Sequence, residues 1–532
     1  MRRLLALLVG LLGVAGGAQA QAQAQAQDLA IALQTDLTSL DPHVAPTFTS
    51  AALQQHVYGS LVTMDARLAV VPDLAVAWRN PDDTSWEFDL RDGVTFSDGT
   101  PFTAEDVAFS LRRAASVRNA AGTVAPYVRA IRRVTVLSPR RVRLETDTPY
   151  PQLLSDLTRV RIVPAHLGEG ATTERFNRGE ASIGTGPYLA IRWMPGDRLE
   201  LRRNPAYWGS APAWARVTFR PIPSDASRLA ALLSGDVDVI DKVSTADVAR
   251  LRREERVSLF QHDGNRTMFL VPDLSRETSP FVTDRSGAPL TPNPLRKAPV
   301  RRALSLAINR PALAARTMEG LATPANQAAP AGMFGYADAI PPAAFNPPEA
   351  RRLLAAAGYP DGFRLVLHCS SGRYLNDRQT CQAIGQMLTR IGVETVVQSE
   401  PPAVFYARMT RFDASLLLNG WGSIGENLTV LRQVLHSVDE ARGYGGFNRG
   451  RYANPEADRL IEIAAATLDE GARRRAQQAA MEAAMADLGV IPLYTAAWAW
   501  ATRRGLAYEA GFDEGTLAMR VSGSKERAGE QR

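Results

Sequence analysis

Ile183–Trp208 reads IGTGPYLAIRWMPGDRLELRRNPAYW. Tyr188, Ala190 and Arg192 alternate with Leu189, Ile191 and Trp193, and Leu199 and Leu201 alternate with Arg198, Glu200 and Arg202. A period of two marks strands, whose side chains point to opposite faces in turn. Pro195-Gly196-Asp197 lies between the runs and supplies turn chemistry. The stretch predicts a glycine turn, a hairpin and a proline-anchored aromatic loop.

Upstream, Trp86, Phe88 and Leu90 alternate as a strand, and Asp92-Gly93 and Asp98-Gly99 mark turns. Thr103 followed by Ala104-Glu105-Asp106 is a helix N-cap with an acidic first turn. Ala51–Leu61 reads as a helix, and residues 130–149 as a second hairpin. Downstream, VTFRPIPS (217–224) is a strand, and a helix over Ser227–Ser234 stops at Gly235. GDVDVID, 235–241, alternates acidic and apolar residues. Calcium ligation by Asp236, Asp238 and Asp241 is one reading, but the glycine and terminal glutamate of an EF-hand loop are missing. A strand with its polar side outward accounts for the run better. Residues 272–299 are rich in Pro, Ser, Thr and Gly and predict a surface excursion. FRLVLHC (363–369), a helix over Asp377–Ile391 and VETVVQ (393–398) form a βαβ unit with parallel pairing.

The chain opens MRRLLALLVGLLGVAGGAQA, a basic start, a short apolar run and a small-residue cleavage site. This predicts a signal peptide over residues 1–20, followed by a low-complexity leader over 21–27. No cysteine follows the apolar run, so a lipid anchor is not expected. The mature length suits two or three domains. Lys and Arg number 61 against 55 Asp and Glu, a net +6, but the charges are interspersed and lysine occurs only at Lys242, Lys297 and Lys525. Nucleic-acid binding is therefore not expected. Cys369 and Cys381 are close enough in sequence for a disulfide in an oxidising compartment, or for two buried thiols.

Signatures of catalysis are missing. The six histidines are scattered, without zinc spacing or an HExxH pair. GSIG at 422–425 is one glycine short of a nucleophile elbow, and GTGPYL lacks the third glycine of a dinucleotide fingerprint. No catalytic residue, metal or cofactor is expected.

Four motifs in order resemble the peptide/nickel-type (family 5) solute-binding proteins of ABC importers: FDLRDGVTFSDGTPFTAEDVAFS (88–110), GTGPY with NPAYW, the Leu-Ser-Gly-Asp-Val-Asp run at 233–238, and RYANPEADRL leading to IPLY. The resemblance spans essentially Leu33–Tyr508. It implies an α/β, two-lobed periplasmic binding protein-like fold of class II, with an extra domain in the first lobe. That lobe is expected from 28–55, 180–261 and 487–532, its extra domain from 56–179, and the second lobe from 262–486. The implied function is periplasmic capture of a peptide or peptide-like solute between closing lobes, by a monomer that serves a membrane permease. A nickel chelate, haem or sugar ligand on the same scaffold, or an exported hydrolase, are the alternatives.

Site candidates follow from the second lobe. Arg373, in CSSGRYLND, follows the first strand of the βαβ unit, at the end where open α/β sheets bind ligands. It matches the position where dipeptide-binding relatives hold a ligand carboxylate; pairing with Asp377 is the structural alternative. Tyr374 and Asn376 are candidates for the wall. The strand ending Asn419-Gly420-Trp421-Gly422 offers a stacking indole and glycine backbone for close approach. Dipeptide-binding relatives follow the tryptophan with Asp-Pro-Asp-Asn; this chain has Gly425-Glu426-Asn427, closer to glutathione-importer-like relatives, and Glu426 is the candidate amine-binding acid.

Overall fold

A computed structural model describes residues 28–44, 47–118 and 122–523; the expected signal peptide and leader lie outside them. Its axis is a pair of long antiparallel strands, Val257–Pro272 and Ile491–Arg503, at the centre of a twelve-stranded sheet. Val257–Asp263 pair with Arg503–Ala497; the register then slips across Gly264, Asn265 and Arg266, and Thr267–Leu270 pair with Thr495–Ile491. A slip of this kind bends and twists a strand locally.

On one side of the slip the sheet continues through Val239–Ile240, Asp28–Leu33 and Arg216–Pro221 to the hairpin Tyr188–Met194 and Arg198–Arg203. On the other it continues through Leu416–Gly422 to Phe363–Ser370, with Val393–Glu400 parallel beside the latter. The βαβ unit is present, with its helix over Asp377–Thr389.

The cores divide the same way. Met268, Leu270, Ile491, Leu493, Tyr494 and Ala496 pack with Phe363, Leu365 and Leu367, whereas Val257, Ala497, Ala499 and Ala501 pack with Leu229 and Val248. The last long strand thus changes core between Ala496 and Ala497, about ten residues beyond the return expected at 487. The cause is the apolar run Val490–Tyr494, which is buried against second-lobe residues. Each such side chain gains about 1.5–3 kcal/mol on burial, which outweighs ending the lobe at the preceding helix, Glu470–Ala486.

A separate four-stranded sheet (Ala75–Asp82, Ser85–Leu90, Arg141–Thr146, Ile131–Ser138) carries the helix Ala104–Ser116 and its own core of Trp86, Phe88, Val107, Leu111 and Leu144. The acidic first turn builds the expected start: Asp106 Oδ2 accepts the Thr103 backbone N–H at 2.7 Å. The GTGPY turn is the joint between this unit and the main sheet. A Cβ on Gly184 or Gly186 would lie 2.1 Å from the Val57 carbonyl oxygen or 2.5 Å from its carbon, so only glycine lets the backbones meet. Asn204 closes the joint by donating to the Gly186 carbonyl at 2.9 Å.

Two elements are shorter than expected. The early helix covers Phe48–Gln55, not Ala51–Leu61: the Thr47 hydroxyl accepts the Ser50 N–H and sets its start, and it stops where the His56 and Val57 carbonyls accept the Tyr188 and Gly186 N–H groups. Of 235–241 only Val239–Ile240 is a strand. Asp238 and Asp241 accept the Ala30 and Gln34 backbone N–H groups, both at 2.8 Å, so these acids extend the ladder and are not arranged as calcium ligands.

Candidate functional site

Between the two halves lies a cavity of about 510 Å³. Gln34, Thr35, Lys242 and Ser244 line it from one half and Arg373, Tyr374 and Asn376 from the other, while Arg266 and Trp498 reach it from the central strand pair.

Asp377 shapes the loop that carries Arg373. Its carboxylate accepts the backbone N–H groups of Gly372, Arg373 and Tyr374 at 2.9–3.1 Å and the Ser370 hydroxyl at 2.7 Å. The Asp377 carboxylate is therefore spent on backbone, and the Arg373 side chain is left to point elsewhere. Its Nε donates to the Tyr406 phenol oxygen at 2.5 Å, and its guanidinium lies 5.1 Å from the Tyr374 ring centre. Among the described residues no carboxylate lies within ion-pair distance of it. A disulfide between Cys369 and Cys381, with Cα atoms 6.7 Å apart, ties the strand to the helix on either side of this loop.

Tyr374 is buried, and its hydroxyl donates to Asn419 Oδ1 at 3.0 Å. Burial, followed by the neighbouring Tyr406, pushes its phenol up to about 12. Asn376 adopts φ 50° and donates to Thr245 Oγ1 and the Thr317 carbonyl at 2.9 and 2.8 Å. It joins the halves at the cavity floor.

The remaining expected residues stand away from the cavity wall. Gly420 backs onto it: a Cβ there would sit 2.4 Å from Met268 Sδ and 3.3 Å from Tyr374 Cε1. The glycine thus makes room for protein side chains. The Trp421 ring is 5.2 Å from that of Phe447 and packs on the second-lobe core, its Nε1 donating to Thr429 at 3.4 Å. Glu426 is buried and bonded to Arg473, at 3.1 Å, and to Gln477. It is committed to an internal ion pair.

Sequence reasoning missed Arg266, Lys242, Glu514 and Trp498. Arg266 Nη2 donates to Glu514 Oε1 at 2.9 Å, and Lys242 Nζ stands 3.5 Å from Oε2. Burial raises the Glu514 carboxyl, but Arg266 and Lys242 outweigh it and hold the group below the usual range. Signals existed: Lys242 is one of three lysines in an arginine-rich chain, and Gly264-Asn265-Arg266 interrupts a long strand. Trp498 packs against the core that holds Trp500 and Tyr508.

A second contact joins the extra sheet to the far half. Arg432 Nη1 donates to Gln152 Oε1 at 2.6 Å, beside the Tyr150 ring at 5.9 Å. No group of His, Cys, Asp or Glu among the described residues is arranged to hold a metal. No helix among them is long and apolar enough to cross a membrane.

The sequence model of the bacterial extracellular solute-binding proteins, family 5 Middle, matches residues 69–440. The glutathione-binding protein GsiB of Escherichia coli (strain K12) is 27% identical over 496 residues, 91% of either chain. Among solved structures, HbpA2 from Haemophilus parasuis superposes with a TM-score of 0.81 at 22% identity, over 93% of this chain and 100% of that one. The periplasmic murein tripeptide binding protein MppA, in its unliganded open form, gives 0.79 at 20%, over 93% and 97%.

Proposed function

The chain belongs to the family 5 bacterial extracellular solute-binding proteins, which serve ABC importers, and from that membership we propose that it captures a peptide or peptide-like solute. Capture takes place in the 510 Å³ cavity, by closure of the two halves about the slipped strand pair. The closed protein then presents the solute to a membrane permease. It works as a periplasmic monomer released by cleavage of residues 1–20, and it catalyses no reaction. The first lobe comprises residues 28–55, 180–261 and 497–523 with 56–179 as its extra domain, and the second lobe spans 262–496.

The observation that carries this reading is Arg373, exposed in the cleft and bonded to a phenol rather than an acid. A guanidinium with no carboxylate at ion-pair distance among the described residues suits a ligand carboxylate, which it takes by paired, charge-assisted hydrogen bonds. Tyr374 and Asn376 form the wall beside it, with Asn419 and Gly420 supporting Tyr374. GsiB, whose name states glutathione as its ligand, supports a small peptide-like solute. Titration calorimetry against di- and tripeptides, glutathione included, tests the proposal. Saturable heat with the peptide recovered intact supports it; hydrolysed peptide, or no heat from any member, overturns it.

A further inference from the structure

The cavity holds more positive charge than its own acids balance. Five charged side chains line it: Lys242, Arg266, Arg373, Asp225 and Glu514. Asp225 is taken by Arg228 at 2.7 Å, on a residue that does not line the cavity. Glu514 is therefore the one lining acid left to face Lys242, Arg266 and Arg373, with Asp241, which also faces Arg228, acting on Lys242 from behind the wall. Glu514 contacts two of the three cations, Arg266 and Lys242, and each retains further N–H donors. Arg266 and Arg373 also lie 5.8 and 5.1 Å from the centre of one ring, that of Tyr374, so two like charges share a small apolar wall.

Closure over a guest removes water from these groups, and a desolvated cation without a partner is costly. A guest with one negative charge would satisfy Arg373 and leave the Lys242–Arg266 pair with a single carboxylate between them. A guest with two would satisfy both ends. Resting on the peptide-like reading above, we propose that the solute carries two acidic groups, a terminal carboxylate held by Arg373 and a second carboxylate held by Lys242 and Arg266 beside Glu514.

The test is calorimetry on the full mature chain with pairs of tripeptides that differ only by Glu against Gln. The acidic member is expected to bind at least tenfold tighter. Lys242→Met, and separately Arg266→Gln, should bring the ratio of affinities towards one, whereas Arg373→Ala should weaken both members of each pair. Equal affinity within the pairs overturns the proposal, as does a preference that survives both Lys242→Met and Arg266→Gln. Silence from every peptide would instead sink the peptide reading, and this proposal with it.

Discussion

Arg373 owes its availability to Asp377, which is consumed by four backbone N–H groups and a hydroxyl. Replacing Arg373 by Ala should therefore lower affinity for carboxylate-bearing peptides by about 1.5–3 kcal/mol, the scale of a hydrogen bond to a charged group. The melting temperature should be unchanged, and calorimetry beside a thermal scan checks both. The two tryptophans separate in the same way. Trp498 lines the cavity while Trp421 leans on Phe447, so the ligand-induced change in fluorescence should survive Trp421→Phe and vanish in Trp498→Phe. The loop with Arg373 was legible in the sequence because one strand end and one helix start locate it. Trp421 and Glu426 were read as cleft residues from local motif alone, and local motif does not say which side of a strand end faces a neighbouring core. Lys242 and Glu514 lie 272 positions apart, a pairing that no periodicity encodes.

Among the elements, two buried histidines flank the early helix, and the second ties its end to the C-terminal segment. His43 accepts from Arg113 at 2.7 Å through Nδ1, and its Nε2 donates to the Arg161 carbonyl at 2.9 Å. His56 donates through Nδ1 to the Ala52 carbonyl at 2.9 Å, and its Nε2 accepts the Ala518 backbone N–H at 3.0 Å. Burial, joined for His43 by Arg113, lowers both from 6.5 to about 4. A histidine whose folded value is depressed contributes stability that is full above 6.5 and is lost as the pH falls towards 4. Each costs about 1.4 kcal/mol per pH unit across that window. Proton NMR should show both imidazoles neutral at pH 5, with stability by denaturant titration declining from pH 6.5 downward. The strands and helices themselves were readable because their period and caps are local. The helix at Phe48 and the strand at Val239 came out shorter because carbonyls bonded to Gly186 and Tyr188, and backbone-bound aspartates, matters of three-dimensional pairing, set their ends.

For the whole molecule, the two-lobed plan was legible because its motifs are spread along the chain. The change of core along the last long strand was not legible, because a continuous strand hides the point at which its partners change. Arg432 links the extra sheet to the second lobe through Gln152 and the Tyr150 ring, remote from the cavity. Arg432→Ala should release this contact and shift the population towards open forms. The radius of gyration of the free protein by small-angle scattering should rise, and ligand affinity should fall by about 1 kcal/mol, the order of one lost hydrogen bond. An unchanged envelope would place the contact outside the closing motion. The Cys369–Cys381 crosslink has a practical corollary. It braces both ends of the loop that presents Arg373, so chain produced in a reducing cytosol should fold yet grip its cargo poorly. Recombinant material then needs an oxidative step before any assay of uptake is meaningful.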